Sequence, residues 1–300
     1  MSTLDVAVGD YLRLRRAMGF KLQRAEKLLG QFLAFLDEHD EPVITADLAL
    51  TWAGLSEGAS SRWVDQRLGT VRCFAAWWAL HDSRTQVPPS GLTHCPPGRA
   101  VPYLYTPAQV TALMDAAARL PRPLRAATIS TVIGLLAITG MRVGEVLALD
   151  RDDADIDDGL LVVRDAKFGK SRLVPLHPSA QAALRQYQAR RDDLCPHPFS
   201  PALFITGQGT RLGYNSLWRT FHDLSARAAL RARSSQCRPR IHDFRHSFAV
   251  TTFVEGYRDK KNIDALLPTL ATYLGHADPK HTYWYYSDSR VIPIPAPLHA

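Results

Sequence analysis

Apolar residues recur at helical spacing through residues 4–39, where Val6, Tyr11, Leu12, Leu14, Met18, Leu28, Leu29, Phe32, Leu33 and Phe35 alternate with Arg13, Arg15, Arg16, Lys21, Arg24 and Lys27. This period predicts amphipathic helix, and Gly19 divides it in two. Thr45 or Asp47 can cap a short helix through Trp52, and Ser60 or Ser61 another through Trp77, Trp78 and Leu80. The pattern then stops. Residues 83–104 carry Pro88, Pro89, Pro96, Pro97 and Pro102 with Gly91 and Gly98, which forbids a continuous element and predicts an extended segment.

Regular structure resumes at Thr106-Pro107, an N-cap followed by proline at the first helical position. A second helix is predicted over 124–139 with Gly140 as its stop, and a third begins near Met141. The period changes to strands at Leu160–Val163 and Arg172–Leu176, which flank a turn at Phe168-Gly169-Lys170. Further helices are expected over 179–191 and 215–228, with a short strand at Ala202–Thr206. The whole predicts a mainly α chain with a small β-sheet, in two parts. A helical domain spans 1–97, a linker 98–104, an α+β domain 105–292 and an irregular proline-bearing tail 293–300.

Bulk properties narrow the partner. Three hundred residues suffice for about two packed domains. The net charge is +7 and the pI about 9.4, which favours a polyanion such as nucleic acid. Charge is nearly balanced before residue 100, so the surplus lies in the later two-thirds. The four cysteines, Cys73, Cys95, Cys195 and Cys237, are scattered without metal-ligand spacing. Thiols of this kind fit a cytoplasmic protein. The chain shows neither a secretory signal nor an apolar run of membrane-spanning length. The acidic run Asp150–Asp158 lacks the glycine and the terminal glutamate of a calcium loop and is expected to be a solvated loop.

Four stretches carry candidate chemistry. In Arg240-Ile241-His242-Asp243-Phe244-Arg245-His246, His242 and Arg245 stand three apart, on one helix face. A bidentate guanidinium beside an imidazole suits a phosphate undergoing chemistry. In Thr139-Gly140-Met141-Arg142-Val143-Gly144-Glu145, Arg142 sits between two helices. Its guanidinium is expected near free backbone N–H groups, with Glu145 orienting it. Lys167 and Lys170 occupy the predicted hairpin tip, where a lysine can donate a proton to a leaving oxygen. Leu274-Gly275-His276 precedes Tyr283, Tyr285 and Tyr286, three possible nucleophiles. Each stretch alone also has a plain structural reading: a half-buried histidine, a surface ion pair, an exposed turn, an aromatic patch.

Taken together and in this order, T-G-M-R-x-x-E, a hairpin lysine before R-L-V-P-L, H-D-F-R-H-S-F, L-G-H and a tyrosine nine residues later resemble the tyrosine recombinase (phage integrase) family. The resemblance covers about residues 105–290, and the T-Y-W-Y ending is similar to the integrase-type transposases of that family. It implies that 1–97 is a helical core-binding DNA clamp and 105–292 the catalytic domain. It implies that Arg142 and Arg245 clamp the scissile phosphate, Lys167 protonates the departing 5′ oxygen, His242 handles the nucleophile's proton, and His276 bonds a phosphate oxygen. Tyr285 would attack and form a 3′-phosphotyrosine. Such chemistry implies no metal, no ATP and no other cofactor; its partners would be duplex DNA and further recombinase subunits, with no membrane involved. The alternatives with the same residues are a type IB topoisomerase-like relaxation of DNA and a silent DNA-binding accessory subunit.

Overall fold

The computed structural model describes residues 2–55, 58, 60–93, 101–164 and 171–275. The chain divides into two compact units, Met1–Arg99 and Ala100–Ala300. It is mostly helical with one small sheet, as the periodicity predicts.

The first unit holds α1 (Thr3–Ala17), α2 (Gln23–Glu38), α3 (Ala46–Gly54) and α4 (Ser61–Trp78). Ser2 and Asp5 form a capping box on α1, Thr45 caps α3 by accepting from the Leu48 N–H, and Ser60 caps α4 by accepting from Trp63. Between α1 and α2 the chain reverses at Gly19, whose φ of +88° suits a residue without Cβ. Leu29, Phe32, Leu36, Trp52, Leu68 and Phe74 are fully buried between the four helices. The first part of the proline segment belongs to this unit. Arg72 of α4 donates Nε to the Pro88 carbonyl and Nη2 to that of Pro89, 2.7 and 2.8 Å away. The Gln86 N–H donates to Ile44 O. The prolines still keep the segment extended, but their carbonyls moor it to α4.

The second unit begins with an extended strap, residues 101–105, that lies across the core rather than spanning free solvent. Tyr103 and Tyr105 are buried. The Tyr105 N–H donates to Ser247 Oγ at 2.8 Å, its hydroxyl donates to the Arg240 carbonyl at 3.1 Å, and its ring stacks on Phe244 at 4.4 Å. Then come α5 (Pro107–Ala118), α6 (Pro123–Thr139), α7 (Val143–Ala148), β1 (Ala154–Asp155), β2 (Leu160–Val163), β3 (Arg172–Pro175), α8 (Pro178–Leu194), α9 (Tyr214–Arg227), α10 (Asp243–Arg258) and α11 (Ile263–Leu274). Helix α6 is apolar on most of its circumference and packs against α5, α8 and α10, the place for a helix without a polar face. The strands form an antiparallel sheet in the order β1-β2-β3, with Leu161 opposite Val174.

Two expectations change. Residues 202–206 form no ladder among the described residues: Ala202 bridges to Asp150 and Ile205 to Arg211, so the segment splits its pairing between two partners. The acidic run is less solvated than its composition suggests. Asp153 is buried and pairs with Arg164, while Asp150 pairs with Arg211. Among the described residues no group of three or more His, Cys, Asp or Glu side chains could hold a metal ion, and no helix is long and apolar enough to cross a membrane.

Candidate active site

Helix α6 ends at Gly140, which adopts φ +59°. A Cβ there would lie 2.5 Å from Phe248 Cδ1, so the position demands glycine for its conformation and for the close approach of α10. The turn delivers Arg142 to the N-cap of α7. Glu145 accepts from the Arg142 backbone N–H at 2.9 Å and from its Nη1 at 2.7 Å. The orienting carboxylate expected from the i, i+3 spacing is therefore present.

The guanidinium itself lies elsewhere than expected. Arg142 Nη2 donates to the Gly275 carbonyl at 2.9 Å, at the C-terminal end of α11 rather than beside free N–H groups. Two more arginines converge there. Arg245 of α10 donates Nη2 to Leu274 O at 2.6 Å and Nη1 to Gly140 O at 3.0 Å. Arg172, the first residue of β3, donates Nε to Tyr273 O at 3.0 Å. Three successive carbonyls thus take one arginine each. The last turn of a helix leaves such carbonyls unpaired and carries partial negative charge, so it is a natural seat for cations. Gly275 closes the turn at φ +66°, with the Arg172 and Arg142 guanidinium groups packed against it.

Glu145 also receives Arg172, Nη1 to Oε1 at 3.0 Å and Nη2 to Oε2 at 2.7 Å. Burial alone would push this carboxyl up, but hydrogen bonds from Arg172 and Arg142 and the charge of Arg172 bring it down to about 2. Glu145 is therefore ionised at any ordinary pH.

His242 stands at the N-cap of α10, one turn before Arg245, and its ring meets that of His246 edge-on at 5.2 Å. Burial lowers its pKa, and the positive charges of Arg245, Arg240 and Arg142 lower it further. The imidazole is thus neutral near pH 7 and able to accept a proton. Beneath it, fully buried Asp243 holds Arg240 through two hydrogen bonds of 2.9 and 2.8 Å. Tyr273 stacks on Phe248, and burial pushes its phenol up, as befits a packing ring.

Of the residues expected from sequence, Arg142, His242 and Arg245 are brought to one place. Lys167, Lys170, His276, Tyr283, Tyr285 and Tyr286 lie outside the described residues. Sequence reasoning missed the role of Arg172. In β3, Leu173 is exposed whereas Arg172 and Val174 turn inward, so the charge occupies the core-facing register, which the apolar Leu173 beside it hides from the sequence pattern.

Residues 104–290 match the phage integrase family. The chain belongs to that family. It is 44% identical over 296 residues to y4rB of Sinorhizobium fredii, named as an integrase/recombinase, covering 96% of this chain and 94% of that one. It is 30% identical over 261 residues to the tyrosine recombinase XerD of Ralstonia nicotianae, covering 86% of this chain and 79% of the relative. The fold of this integrase-family chain resembles that of the Tn1549 transposon integrase in complex with a circular intermediate DNA, with a TM-score of 0.65, 16% identity and coverage of 96% and 95%.

Proposed function

We propose that the chain is a tyrosine-type site-specific recombinase that cuts and rejoins duplex DNA through a covalent 3′-phosphotyrosine. The observation that carries this reading is the meeting of Arg142 and Arg245, from α7 and α10, at the end of α11 beside a neutral imidazole. Two guanidinium groups stabilise charge on the non-bridging oxygens of a phosphate as its phosphorus becomes five-coordinate.

The Tyr285 hydroxyl attacks phosphorus while His242 takes its proton; the bond from phosphorus to the 5′ oxygen breaks, and Lys167 protonates that oxygen. His276 bonds a phosphate oxygen. A 5′ hydroxyl from a partner strand then attacks the phosphotyrosine, the tyrosine leaves, and the proton movements reverse. Because the phosphotyrosine conserves the bond, rejoining needs no nucleotide. The first unit would serve as a DNA clamp and the second as the catalytic domain, acting with further recombinase subunits on paired sites in the cytoplasm. The relatives' names, integrase/recombinase and tyrosine recombinase, support the same activity.

The test is covalent trapping. Wild-type protein incubated with fragmented genomic DNA carrying its own gene should yield a protein–DNA adduct, and sequencing the trapped DNA should return one recurrent site. Tyr285→Phe should bind that site and form no adduct, while Tyr283→Phe and Tyr286→Phe still do. An adduct from Tyr285→Phe would overturn the assignment. Trapped DNA without a common sequence would favour the topoisomerase reading, and no adduct at all the silent accessory subunit.

A further inference from the structure

Arg172 lies on β3, which is not the source of either clamp arginine, yet it shares Glu145 with Arg142 and holds the carbonyl next to the one that seats Arg245. Its side chain is 14% exposed and that of Glu145 8%, so their two-pronged pair is largely withdrawn from water. Arg142, which shares Oε1 of the same carboxylate with Arg172, is more open, at 26%. Three physical consequences follow from this arrangement.

The first is charge. Arg142 and Arg172 carry two positive charges against the single negative charge of Glu145, which leaves one net positive charge at the cluster, with Arg142 its exposed end. Without Arg172, Glu145 would cancel Arg142, and a phosphate would meet a neutral ion pair. The second is orientation. Arg172 occupies both oxygens of Glu145, which fixes the plane of the carboxylate and hence the direction of the Arg142 Nη1 bond. The third is attachment. Arg172 Nε holds Tyr273 O, next in line to the carbonyls that seat Arg245 and Arg142, so β3 is tied to the same turn as both clamp residues. Gly275 leaves no slack there, since even a Cβ would come within 3.2 Å of Arg172 Nη1.

We propose that Arg172 is a positioning residue for the reaction: it shares Glu145 with Arg142, so that Arg142 keeps both its aim and its positive charge toward the scissile phosphate. This rests on the recombinase reading above. Arg172 acts through Arg142 and does not itself touch DNA. A buried ion pair that serves stability alone would make a different prediction, because its loss would lower the folded fraction and leave cleavage by folded molecules unchanged.

The test uses full-length protein and a nicked suicide duplex carrying the site trapped by the wild type. Single-turnover adduct formation at saturating protein is compared with duplex affinity for Arg172→Met, Arg172→Lys, Arg142→Ala and the double variant Arg142→Ala/Arg172→Met. Arg172→Met should slow adduct formation on the order of 10-fold or more, with affinity within about 3-fold of wild type. Arg172→Lys restores the charge but not the fork, and should recover part of the rate. The double variant should be no slower than Arg142→Ala, because Arg172 has nothing left to act through. Wild-type rates in Arg172→Met, rate losses that multiply in the double variant, or a rate loss matched by an equal loss of affinity would each overturn the proposal. If Arg172→Met fails to fold, Arg172→Lys and its double variant with Arg142→Ala carry the same cycle. If wild-type protein forms no adduct, the recombinase reading falls and this inference with it; a wild-type adduct with an unaffected Arg172→Met rate removes only the inference.

Discussion

Arg245 donates to the carbonyl oxygen of Gly140, 3.0 Å away, and Gly140 is the residue that ends α6 and turns the chain toward Arg142. Arg245 therefore fixes the turn that presents Arg142. It is 2% exposed, and its other branch holds the end of α11. One side chain ties together three helices whose ends make up the site.

Arg142→Ala and Arg245→Ala should each lower cleavage on the order of 100-fold or more while reducing site binding far less, since other phosphate contacts remain. Their effects on stability should differ. Arg245→Ala leaves the Gly140 and Leu274 carbonyls without this donor, at roughly 1–3 kcal/mol for each buried group left unpaired. Arg142 is partly exposed, and its removal should cost less. Denaturant unfolding of the two variants measures the difference; equal losses would contradict the structural role of Arg245.

Gly140→Ala should destabilise the protein by about 2 kcal/mol or more, from the left-handed backbone and from a Cβ pressed into the Phe248 ring. Phe248 stands one turn beyond Arg245, so its displacement should also slow adduct formation. A shift in unfolding free energy below about 0.5 kcal/mol would mean that α10 can move aside freely, contrary to this packing.

On the proposed role of His242 as acceptor of the nucleophile's proton, its lowered pKa would set the acid limb of the reaction. A group that must accept a proton stays competent while it is unprotonated, and burial with three nearby arginines extends that range downward. Measured at subsaturating duplex, adduct formation should hold steady as pH falls through the ordinary imidazole value of about 6.5 and decline only below it. A decline centred above that value would show the imidazole to be protonated more easily than its surroundings dictate.

Glu145 gives stability its own pH signature. Its folded pKa, about 2, lies below the ordinary value of 4.5, so its contribution is fully present above about pH 4.5 and is lost as pH falls toward 2. The shift corresponds to on the order of 3 kcal/mol. Glu145→Gln should therefore be less stable than wild type at neutral pH, and the gap should close through that acid window. A gap independent of pH between 5 and 2 would assign the loss to packing instead.

Local signals made much of this protein legible. Thr45, Ser60, Thr106-Pro107 and Gly140 mark helix ends because capping chemistry acts over three or four residues. The Arg142–Glu145 pair follows from helical spacing for the same reason. Arg172 and Glu145 meet across 27 residues, and no local period reports such a partner. The carbonyls of Tyr273, Leu274 and Gly275 are backbone groups, invisible in any pattern of side chains. The apolar run at 202–206 has the composition of a strand, yet its neighbours offer it two single bridges instead of an edge. The acidic run looked solvated because its arginine partners, Arg164 and Arg211, come from outside it.

The strap at residues 101–105 bears on how relatives of this protein can be recombined by the experimenter. Its Tyr105 covers Phe244 and its backbone grips Ser247, and Val101 O also accepts from Arg240, the partner of Asp243. By contact the strap belongs to the helix it crosses, although Pro102 counts it within the proline-rich stretch of the sequence. A chimera joined at Thr106 would lay a foreign strap over α10, baring or overfilling the Phe244 face two residues from His242. A seam placed upstream of Val101 would carry strap and helix together as one inherited piece.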